Sequence, residues 1–502
     1  MRYSKQQCDE MLQKIKSHQM SIYEIPENDE DVYDTFKRGE SVFTFQFGSN
    51  LSRGILKQMK NLNSVYDLAS ITALGRPGPM KEIPRFVRLA NGEPTEEDLQ
   101  NKMPKQFEPY FKNSYGIFVF QEQFIEVCRH VAGFNWSEAD EARKAVGKKN
   151  LAFIEAIRER FFNGCMKAGV SKEDLDKFWE GLLDFASYAF NLSHAYCYAE
   201  LGYITCWFLT HYPAEYLSSV MNKFSGDKEK LSEAIKYAKL RGIKVLPPSL
   251  NHSQSGFAPD KDGNIYYGFS AIKGIGKTGD LLVERRKNRI IRTVKDFFDI
   301  YSDISSSKMK ALAEAGVFDE VLKTDPLIKK RYILLYNWDE IYKTYKPGKV
   351  NIKQTTLFDI TPQLDIVEPP DKATMFIKSL FKEKELLGDF VSANPLGFTK
   401  MKTDTNVSEL MHNPSLIKDK VNIVIVGIVQ KIRKIHTKKG DLMAFLTLEG
   451  EEGEFDCTVF PKLFSEVSLQ EGIVIGIEGT MTQYKDGYSL VANKITQQLI
   501  TT

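Results

Sequence analysis

The spacing of apolar residues changes to that of β-strands at residues 421–432, which read VNIVIVGIVQKI. Four runs of the same kind follow between glycine-containing turns: MAFLTLEG (443–450), GEFDCTVF (453–460), IVIGIEGTMTQY (473–484) and YSLVANKI (488–495). Apolar and polar residues alternate in these runs, as they do on half-buried strands. Five short strands in succession are typical of a small closed barrel, so we expect an OB-fold domain over 416–502.

The chain before residue 346 has the period of helices instead. Apolar residues recur three and four apart over 45–225, for example in QEQFIEVCRHVAG (121–133) and KEDLDKFWEGLLDFASYAF (172–190). Over 228–345, helical stretches alternate with short extended runs, and residues 346–372 are polar and contain prolines, as linkers do. We therefore predict a multidomain protein that is mainly α and ends in a small β-barrel.

Composition excludes several classes of protein. A chain of 502 residues with 42% hydrophobic residues can bury several cores, so global disorder is excluded. None of the six cysteines forms a Cys-x-x-Cys pair, which argues against a disulfide framework and a structural zinc site. Residues 1–12 are polar, and no run approaches the ~20 apolar residues of a membrane span. We expect a cytoplasmic protein with no membrane partner.

Basic residues concentrate around one glycine turn, although the whole chain carries a net charge of only +2. The turn is AIKGIGK (271–277), and between residues 273 and 295 there are eight basic residues and two acidic ones. A Gly-x-Gly turn before a helix exposes backbone N–H groups that suit a phosphate oxygen. We predict non-specific DNA binding here, and the alternative is a tight turn beside a solvated face. The residues predicted to contact DNA are Lys273, Gly274, Gly276, Lys277, Arg285 and Arg286.

The predicted barrel carries a second group of basic residues, in its first hairpin. Basic groups together with aromatic rings hold single strands on such barrels, at ~4–16 nucleotides per barrel. The alternative is that the aromatic residues form the core and the lysines solubilise a turn. The predicted contacts are Arg433, Lys434 and Lys438, and the aromatic candidates are Phe445, Phe455, Phe460, Tyr484 and Tyr488.

A third set of polar residues lies in the helical region, at three separate corners of the chain. RPGP (76–79) is a stiff turn, KAVGKK (144–149) lies at the end of a helix, and FNLSH (190–194) caps a helix junction. Together they would form a cationic surface for a triphosphate or a template backbone, whereas singly each suits a solvated charge or a cap. The candidate residues are Arg76, Arg143, Lys144, Lys148, Lys149, Asn191, Ser193 and His194, and only the family resemblance given next makes them one phosphate-binding set.

These stretches resemble, in order and spacing, the alpha subunit of bacterial DNA polymerase III. Seven stretches resemble the fingers domain of that family: FQF (45–47), ALGRPGP (73–79), YGI (115–117), FQEQ (120–123), EADEARKAVGKK (138–149), FNLSH (190–194) and HYPAE (211–215). Two further stretches resemble its tandem helix-hairpin-helix region, VLPP (245–248) and IKGIG (272–276). The segment before its OB domain is similar to ELLG (385–388) and NPL (394–396). Leu192 stands where the family usually has lysine, and Phe120 where it usually has tyrosine.

The resemblance implies a domain order for the whole chain. The implied domains are the end of the palm or entry helices at 1–40, fingers at 41–226, a tandem helix-hairpin-helix duplex-binding domain at 227–345, a linker at 346–415 and the OB-fold at 416–502. The linker contains QTTLF (354–358), an apolar peptide that suits a pocket on another protein or a loop folded onto its own domain. The resemblance makes it a sliding-clamp motif, with Gln354, Leu357 and Phe358 as contacts.

The resemblance also implies that the catalytic palm lies outside this sequence. Two-metal nucleotidyl transfer needs paired carboxylates on rigid strands. Three Asp-x-Asp pairs occur, but their flanking residues predict helix caps and turns: Asp29 and Asp31, Asp174 and Asp176, and Asp260 and Asp262. We therefore expect no catalytic residue and no metal ligand in this chain.

The resulting hypothesis is one half of a split polymerase. Its expected partners are primed duplex and single-stranded DNA, a deoxynucleoside triphosphate, the sliding clamp, and a separate palm-containing chain that holds Mg²⁺. Alone, the chain is expected to be inactive. The alternative is a non-catalytic DNA- and clamp-binding adapter or a gene remnant, which would have no need of Arg76 or of the basic cluster at 143–149.

Overall fold

The computed structural model divides the chain into two compact units, Met1–Tyr216 and Leu217–Thr502. It describes residues 1–100, 102–148, 151–185, 189–287, 289–346, 364–412, 420–451, 453–484 and 487–497. The described part is mainly helical and ends in a closed five-stranded barrel, which confirms the predicted fold class. Among the described helices, none combines the length and the hydropathy that crossing a lipid bilayer requires.

The first unit is helical throughout. Its helices are α1 (Lys5–Lys16), α2 (Glu30–Lys37), α3 (Asn50–Leu56), α4 (Val65–Leu74), α5 (Ile83–Ala90), α6 (Glu96–Gln100), α7 (Glu108–Phe111), α8 (Gln121–His130), α9 (Trp136–Lys148), α10 (Leu151–Lys167), α11 (Lys172–Phe185) and α12 (Leu192–His211). Short 3-10 turns lie at Ile22–Glu24, Pro79–Glu82 and Lys112–Ser114. Helix α13 (Pro213–Lys223) continues the chain into the second unit.

Helix α12 is the centre of the first of two apolar clusters in this unit. It is apolar over its length, and Tyr203 and Trp207 are completely buried. Helices α2 and α4 pack against it. A helix that is apolar on several faces is stable only when other elements cover it, so α12 is the helix around which α2 and α4 assemble.

The second cluster joins helices α7 to α11 around a group of aromatic rings. Phe161 stacks on Phe178 with ring centroids 5.9 Å apart, and Phe107 lies 4.6 Å from Phe178. Trp179 is buried beside them. Such ring pairs contribute about 0.5–1.5 kcal/mol beyond their buried area, so this cluster holds α8 to α11 together independently of α12.

The second unit begins with helices and a small sheet. Its helices are α14 (Lys228–Leu240), α15 (Thr278–Arg286), α16 (Val294–Ile300), α17 (Ser306–Glu314), α18 (Asp319–Leu322), α19 (Arg331–Tyr336), α20 (Trp338–Tyr345), α21 (Lys372–Leu387), α22 (Val407–His412) and α23 (Pro461–Glu466). Strand β3 (Ile265–Tyr266) pairs in parallel with β1 (Val245–Leu246) and antiparallel with β2 (Ala258–Pro259). Further 3-10 turns are Phe269–Ala271 and Pro395–Phe398.

The barrel consists of the five strands that the alternating pattern predicts. They are β4 (Asn422–His436), β5 (Leu442–Glu449), β6 (Glu454–Val459), β7 (Val474–Tyr484) and β8 (Gly487–Gln497), in the order β4-β5-β6-β8-β7. Pairing of β4 with β7 closes the barrel, and β6 and β8 are parallel. Inward residues such as Ile425, Leu446 and Cys457 are buried and form the core of the barrel.

Close packing of α12 predicts the effect of one added methyl group. A Cβ on Gly202 would lie 2.5 Å from Cε2 of Phe47 and 3.0 Å from the carbonyl oxygen of Phe45. We expect Gly202→Ala to lower the free energy of unfolding by about 1–3 kcal/mol, because the core is overpacked. As a control, Gly54→Ala in α3 meets nothing within 4 Å and should raise it by about 0.5–1 kcal/mol. Urea denaturation measures both, and a Gly202→Ala protein as stable as the parent would contradict this packing.

Candidate nucleic-acid interface

The glycine turn at 272–277 forms an open hairpin in front of helix α15. Ile272 and Ile275 are buried and anchor it, whereas Gly274 and Gly276 have φ values of +87° and +49° and a Cβ on either would meet nothing within 4 Å. Both glycines are needed because L side chains rarely adopt positive φ. The chain therefore bends sharply here and presents backbone, not side chains, at its surface.

The hairpin leaves backbone donors available. Within the described part of the chain, the N–H groups of Gly274, Gly276 and Lys277 donate to no intramolecular acceptor. They lie at the N-terminal end of α15, where the helix dipole favours an anion. The ammonium groups of Lys273 and Lys277 are exposed beside them. This combination of free N–H groups and two lysines suits a phosphate oxygen.

The surrounding basic residues have more varied roles than the sequence predicts. Lys273 lies 3.4 Å from a carboxylate oxygen of Glu385, and Arg285 forms a two-point ion pair with Asp303 (Nη2 to Oδ2, 2.8 Å). The prediction that Arg286 contacts DNA is wrong, because its guanidinium is buried and donates to two backbone carbonyls at 2.8 and 3.0 Å. It braces the inside of the domain and is not a surface contact.

The second helix pair, at 306–322, has a hairpin of a different kind. Ala315, Val317 and Phe318 are buried, and Gly316 has a φ of +85°. The guanidinium of Arg331 occupies the place that a Cβ on Gly316 would take. This hairpin is therefore covered by its own chain, in contrast to the hairpin at 272–277.

One outer face of the barrel combines cations with rings. Arg433 on β4 is in register with Phe445 on β5 and lies 4.9 Å from its ring centroid, and Phe445 is in register with Thr458 on β6. Lys434 follows Arg433 in β4 and therefore points to the opposite side, where its ammonium lies 5.9 Å from the ring of Phe464. A cation beside an aromatic ring on one face is the arrangement that can hold a phosphate and stack a base.

The structure separates the aromatic candidates of the barrel. Phe460 and Tyr488 have 49% and 37% of their surface exposed, and Phe445 is half-buried. Phe455 belongs to the core, so for this residue the alternative interpretation of the sequence was the right one. Lys438 is exposed in the turn between β4 and β5, and the side chain of Tyr484 lies outside the described residues.

In the first unit, three predicted corners meet at Phe190. The guanidinium of Arg76 lies 4.0 Å from the ring centroid of Phe190. The carbonyl of Phe190 accepts from the N–H of Gln121 at 2.9 Å, and the side chain of Gln121 accepts from Arg143 at 2.9 Å. We call Arg76, Gln121, Arg143 and Phe190 the Phe190 junction. It joins residues from four separate stretches of sequence.

Asn191 and Ser193, two of the predicted phosphate ligands, lie at the N-terminal end of α12. Asn191 accepts from the N–H of His194 at 2.9 Å and from the hydroxyl of Ser193 at 2.7 Å. Glu122 accepts from the amide of Asn191 at 2.6 Å and from the N–H of Leu192 at 2.9 Å. Asn191 is thus the N-cap of α12, a carboxylate lies at the same positive helix end, and phosphate binding by Asn191 and Ser193 stays a prediction.

Two residues of the basic cluster, Arg143 and Lys144, are paired with an acidic residue of α9. Asp140 accepts from Lys144 at 2.7 Å and from Arg143 at 2.8 Å. These hydrogen bonds, that from Lys144 first, hold the pKa of the Asp140 carboxyl below its usual value. Arg143 and Lys144 also line a cavity of about 170 Å³ with Phe120. The side chain of Lys148 and all of Lys149 lie outside the described residues.

Exposed rings continue from the Phe190 junction along α12. Phe190 and His194 have ring centroids 5.4 Å apart, His194 and Tyr198 4.5 Å, and Tyr198 and Phe45 5.2 Å. We call these four rings the ring ladder. Sequence reasoning missed Tyr198, although the spacing of four residues from Phe190 to His194 to Tyr198 is the helical repeat that places rings on one face. The ladder offers aromatic faces next to Arg76.

The carboxylate pairs do not form a metal site. Asp29 caps α2 and lies 2.8 Å from Nε2 of His211, and Asp260 accepts from two backbone N–H groups of its own turn. Ser171 caps α11 and donates its hydroxyl to Asp174 at 2.6 Å, and Asp176 accepts from Arg158 at 2.7 Å. Among the described residues, no group of three His, Cys, Asp or Glu side chains comes together. The predicted clamp contacts, Gln354, Leu357 and Phe358, lie outside the described residues.

Comparison with known proteins gives matches to three domain models in one order. Residues 6–169 match the bacterial DNA polymerase III alpha subunit finger domain, residues 242–325 a helix-hairpin-helix motif, and residues 423–497 an OB-fold nucleic acid binding domain. This order defines a chain built from the modules of a DNA polymerase.

Relatives match over nearly the whole chain. DNA polymerase III subunit alpha of Aquifex aeolicus is 29% identical over 94% of this chain and 39% of its own length. That of Staphylococcus aureus strain MRSA252 is 30% identical over 95% of this chain and 43% of its own length. Together, the three domain matches and these relatives fit the finger, helix-hairpin-helix and OB-fold part of the bacterial DNA polymerase III alpha subunit. The chain spans about two-fifths of the length of these curated relatives.

Solved structures match a smaller part. The mitochondrial single-stranded DNA binding protein Rim1 of Saccharomyces cerevisiae is 15% identical, covers 17% of this chain and has a TM-score of 0.15. A likeness at that score has no weight for function.

Proposed function

We propose that this chain binds template-primer DNA, an incoming deoxynucleotide and the sliding clamp during template-directed DNA synthesis. The observation that carries the proposal is the succession of finger, helix-hairpin-helix and OB-fold modules in one chain, in the order of the polymerase family. The paired carboxylates and the Mg²⁺ that they hold would come from a separate palm-containing chain.

The open hairpin is the proposed contact with duplex DNA. Free N–H groups at Gly274, Gly276 and Lys277 suit one phosphate, and the charges of Lys273 and Lys277 attract the backbone. None of these groups can read a base edge, so binding would be independent of sequence. Independence of sequence is what a replicative enzyme needs.

The barrel is the proposed contact with the single-stranded template. Arg433 and Phe445 lie side by side on its outer face, with Lys434 and Lys438 nearby in sequence. Rings stack on any base and contribute about 1–3 kcal/mol per base in such barrels. The single strand would lie across β4, β5 and β6.

The ring ladder and the Phe190 junction are the proposed contact with the incoming nucleotide. His194 and Tyr198 present ring faces for a base, and Arg76 lies at one end of the ladder for a phosphate. Arg143 binds Asp140 and Gln121, so it would have to exchange these partners to reach a phosphate. Leu192 supplies no charge, which leaves Arg76 and Arg143 as the main cations of this surface.

The division of labour predicts the outcome of a reconstitution. The chain alone should not extend a primed template, and addition of a palm-containing chain of the same family should restore extension, because the metal-binding carboxylates then become available.

In that mixture, Arg76→Ala should lower kcat/KM for the deoxynucleotide about 100-fold. Lys167→Ala, which removes an exposed lysine from α10, should leave it unchanged. Absence of extension with every palm chain tested would favour the adapter, and extension by this chain unaided would exclude the split.

The hairpin predicts a change in salt dependence. We expect Lys273→Ala with Lys277→Ala to flatten the slope of log affinity against log salt for duplex DNA by up to ~0.9 per lost phosphate contact. Fluorescence anisotropy at several salt concentrations measures the slope. The matched control is Lys261→Ala with Lys323→Ala, which removes two exposed lysines elsewhere in the same unit. Equal slopes for the two double variants would reject the hairpin as the contact.

The linker predicts binding to the sliding clamp. Gln354→Ala with Phe358→Ala should abolish clamp binding, because the peptide loses its polar contact and its apolar anchor. The control changes the same linker outside the motif, with Asn351→Ala and Gln363→Ala. Surface plasmon resonance with immobilised clamp compares the two, and unchanged affinity of the first variant would refute the motif.

A further inference from the structure

Helix α21 lies against the barrel along one face. Leu380 of α21 forms a buried cluster with Phe390, with Val426 and Ile428 of β4 and with Val474 of β7. The ring of Phe381 also lies 5.4 Å from that of Phe390. Burial of apolar area of this kind favours a fixed packing, since partial separation would expose the cluster to water.

An ion pair adds a directed contact between the helix and the barrel. The ammonium of Lys384 binds the carboxylate of Glu449 at the end of β5, and Glu449 is buried. Removal of one partner from a buried ion pair is costly because the other charge stays unpaired. The pair therefore resists rotation of the barrel about α21.

The C-terminal turn of the same helix is bound by the helix-hairpin-helix region. The carbonyl of Leu386 accepts from the N–H of Lys273 at 3.1 Å, and that of Leu387 accepts from the buried hydroxyl of Tyr267 at 2.7 Å. Lys228 donates to the carbonyl of Glu385 at 3.2 Å. The last carbonyls of a helix have no partner within it, so these three donors satisfy groups that would otherwise need water. Lys273 belongs to the open hairpin itself.

Glu383 ties α21 to the covered hairpin as well. It is fully buried, and its carboxylate accepts from the N–H groups of Val391 at 2.8 Å and Ser392 at 2.7 Å and from Arg331. Arg331 also binds Asp319 and fills the space beside Gly316. The carboxylate is thus saturated with donors, which compensates for its burial.

We propose that α21 is a rigid brace that fixes the distance from the open hairpin to the barrel, so that the chain binds a duplex and its single-stranded extension as one bidentate ligand. The proposal rests on the proposed function of these two surfaces. A fixed spacing raises the effective concentration of the second surface once the first is bound, and joined DNA then binds more tightly than either part. The ligand is a duplex–single-strand junction, and the covered hairpin serves to hold the brace.

The test compares three fluorescent DNA probes with the full chain. The first is a blunt duplex of about 20 base pairs, the second a single strand of about 15 nucleotides, and the third carries that strand as an extension of that duplex. We expect the joined probe to bind about 100-fold more tightly than the better of the separate parts.

A variant that loosens the brace should reduce only this gain. Lys384→Met with Glu449→Gln removes both charges together, which avoids a buried unpaired charge. We expect it to bind the two separate probes as the parent does and to bind the joined probe at least tenfold less tightly than the parent, because the fixed spacing is lost. The control, Lys378→Met with Glu466→Gln, changes an exposed lysine of α21 and an exposed glutamate at the end of α23, and should keep the full gain.

The outcomes separate this proposal from the function on which it rests. Binding of both separate probes without a gain for the joined probe overturns the brace and leaves the proposed function intact. Failure to bind either separate probe overturns the proposed function and the brace with it. The parent chain alone decides both points, so the result does not depend on whether the double variant folds. Equal gains in the parent and in the folded double variant would also overturn the brace.

Discussion

The backbone groups at helix ends, which have no partner within the helix, are the constraint on which this structure depends. The N-terminal end of α12 is satisfied by Asn191 and by the carboxylate of Glu122. The C-terminal end of α21 is satisfied by donors from the helix-hairpin-helix region. The N-terminal end of α15 is different, since the hairpin before it keeps free N–H groups at the surface. The satisfied helix ends connect elements of the protein to one another, whereas the N–H groups at the start of α15 remain available to an anion.

The same distinction separates the two hairpins of the second unit. Their glycines have nearly the same φ, +87° at Gly274 and +85° at Gly316, so their backbones bend alike. One of them meets solvent and the other meets the guanidinium of Arg331. Two hairpins with similar glycine conformations therefore differ in their surroundings, since one is open at the surface and the other is covered by a side chain of its own chain. Charge follows this division, because Lys273 and Lys277 flank the open hairpin, whereas the cation at the covered one is buried with Asp319 and Glu383.

Local pattern predicted much of the fold and part of the site. The alternation in VNIVIVGIVQKI and in the four runs after it predicted the five strands, because the side chains of a strand point to opposite faces in turn. The glycines of AIKGIGK predicted a hairpin that needs positive φ. Pattern could not distinguish Arg286 from Arg285, which are adjacent and chemically identical. Only the packing of α15 against residues 250–253 buries one and exposes the other.

By itself, the sequence determined the class of the protein, the order of its domains and the location of its glycine turns and basic clusters, because these depend on neighbours along the chain. The tertiary structure alone decided which polar groups remain available. Asn191 is the N-cap of α12 and shares that helix end with Glu122, about 70 residues away, and Phe455 became core because the barrel closes around it. Whether a polar group can bind a partner depends on which residues lie near it in space. The separation of two residues along the sequence does not give their distance in the folded protein.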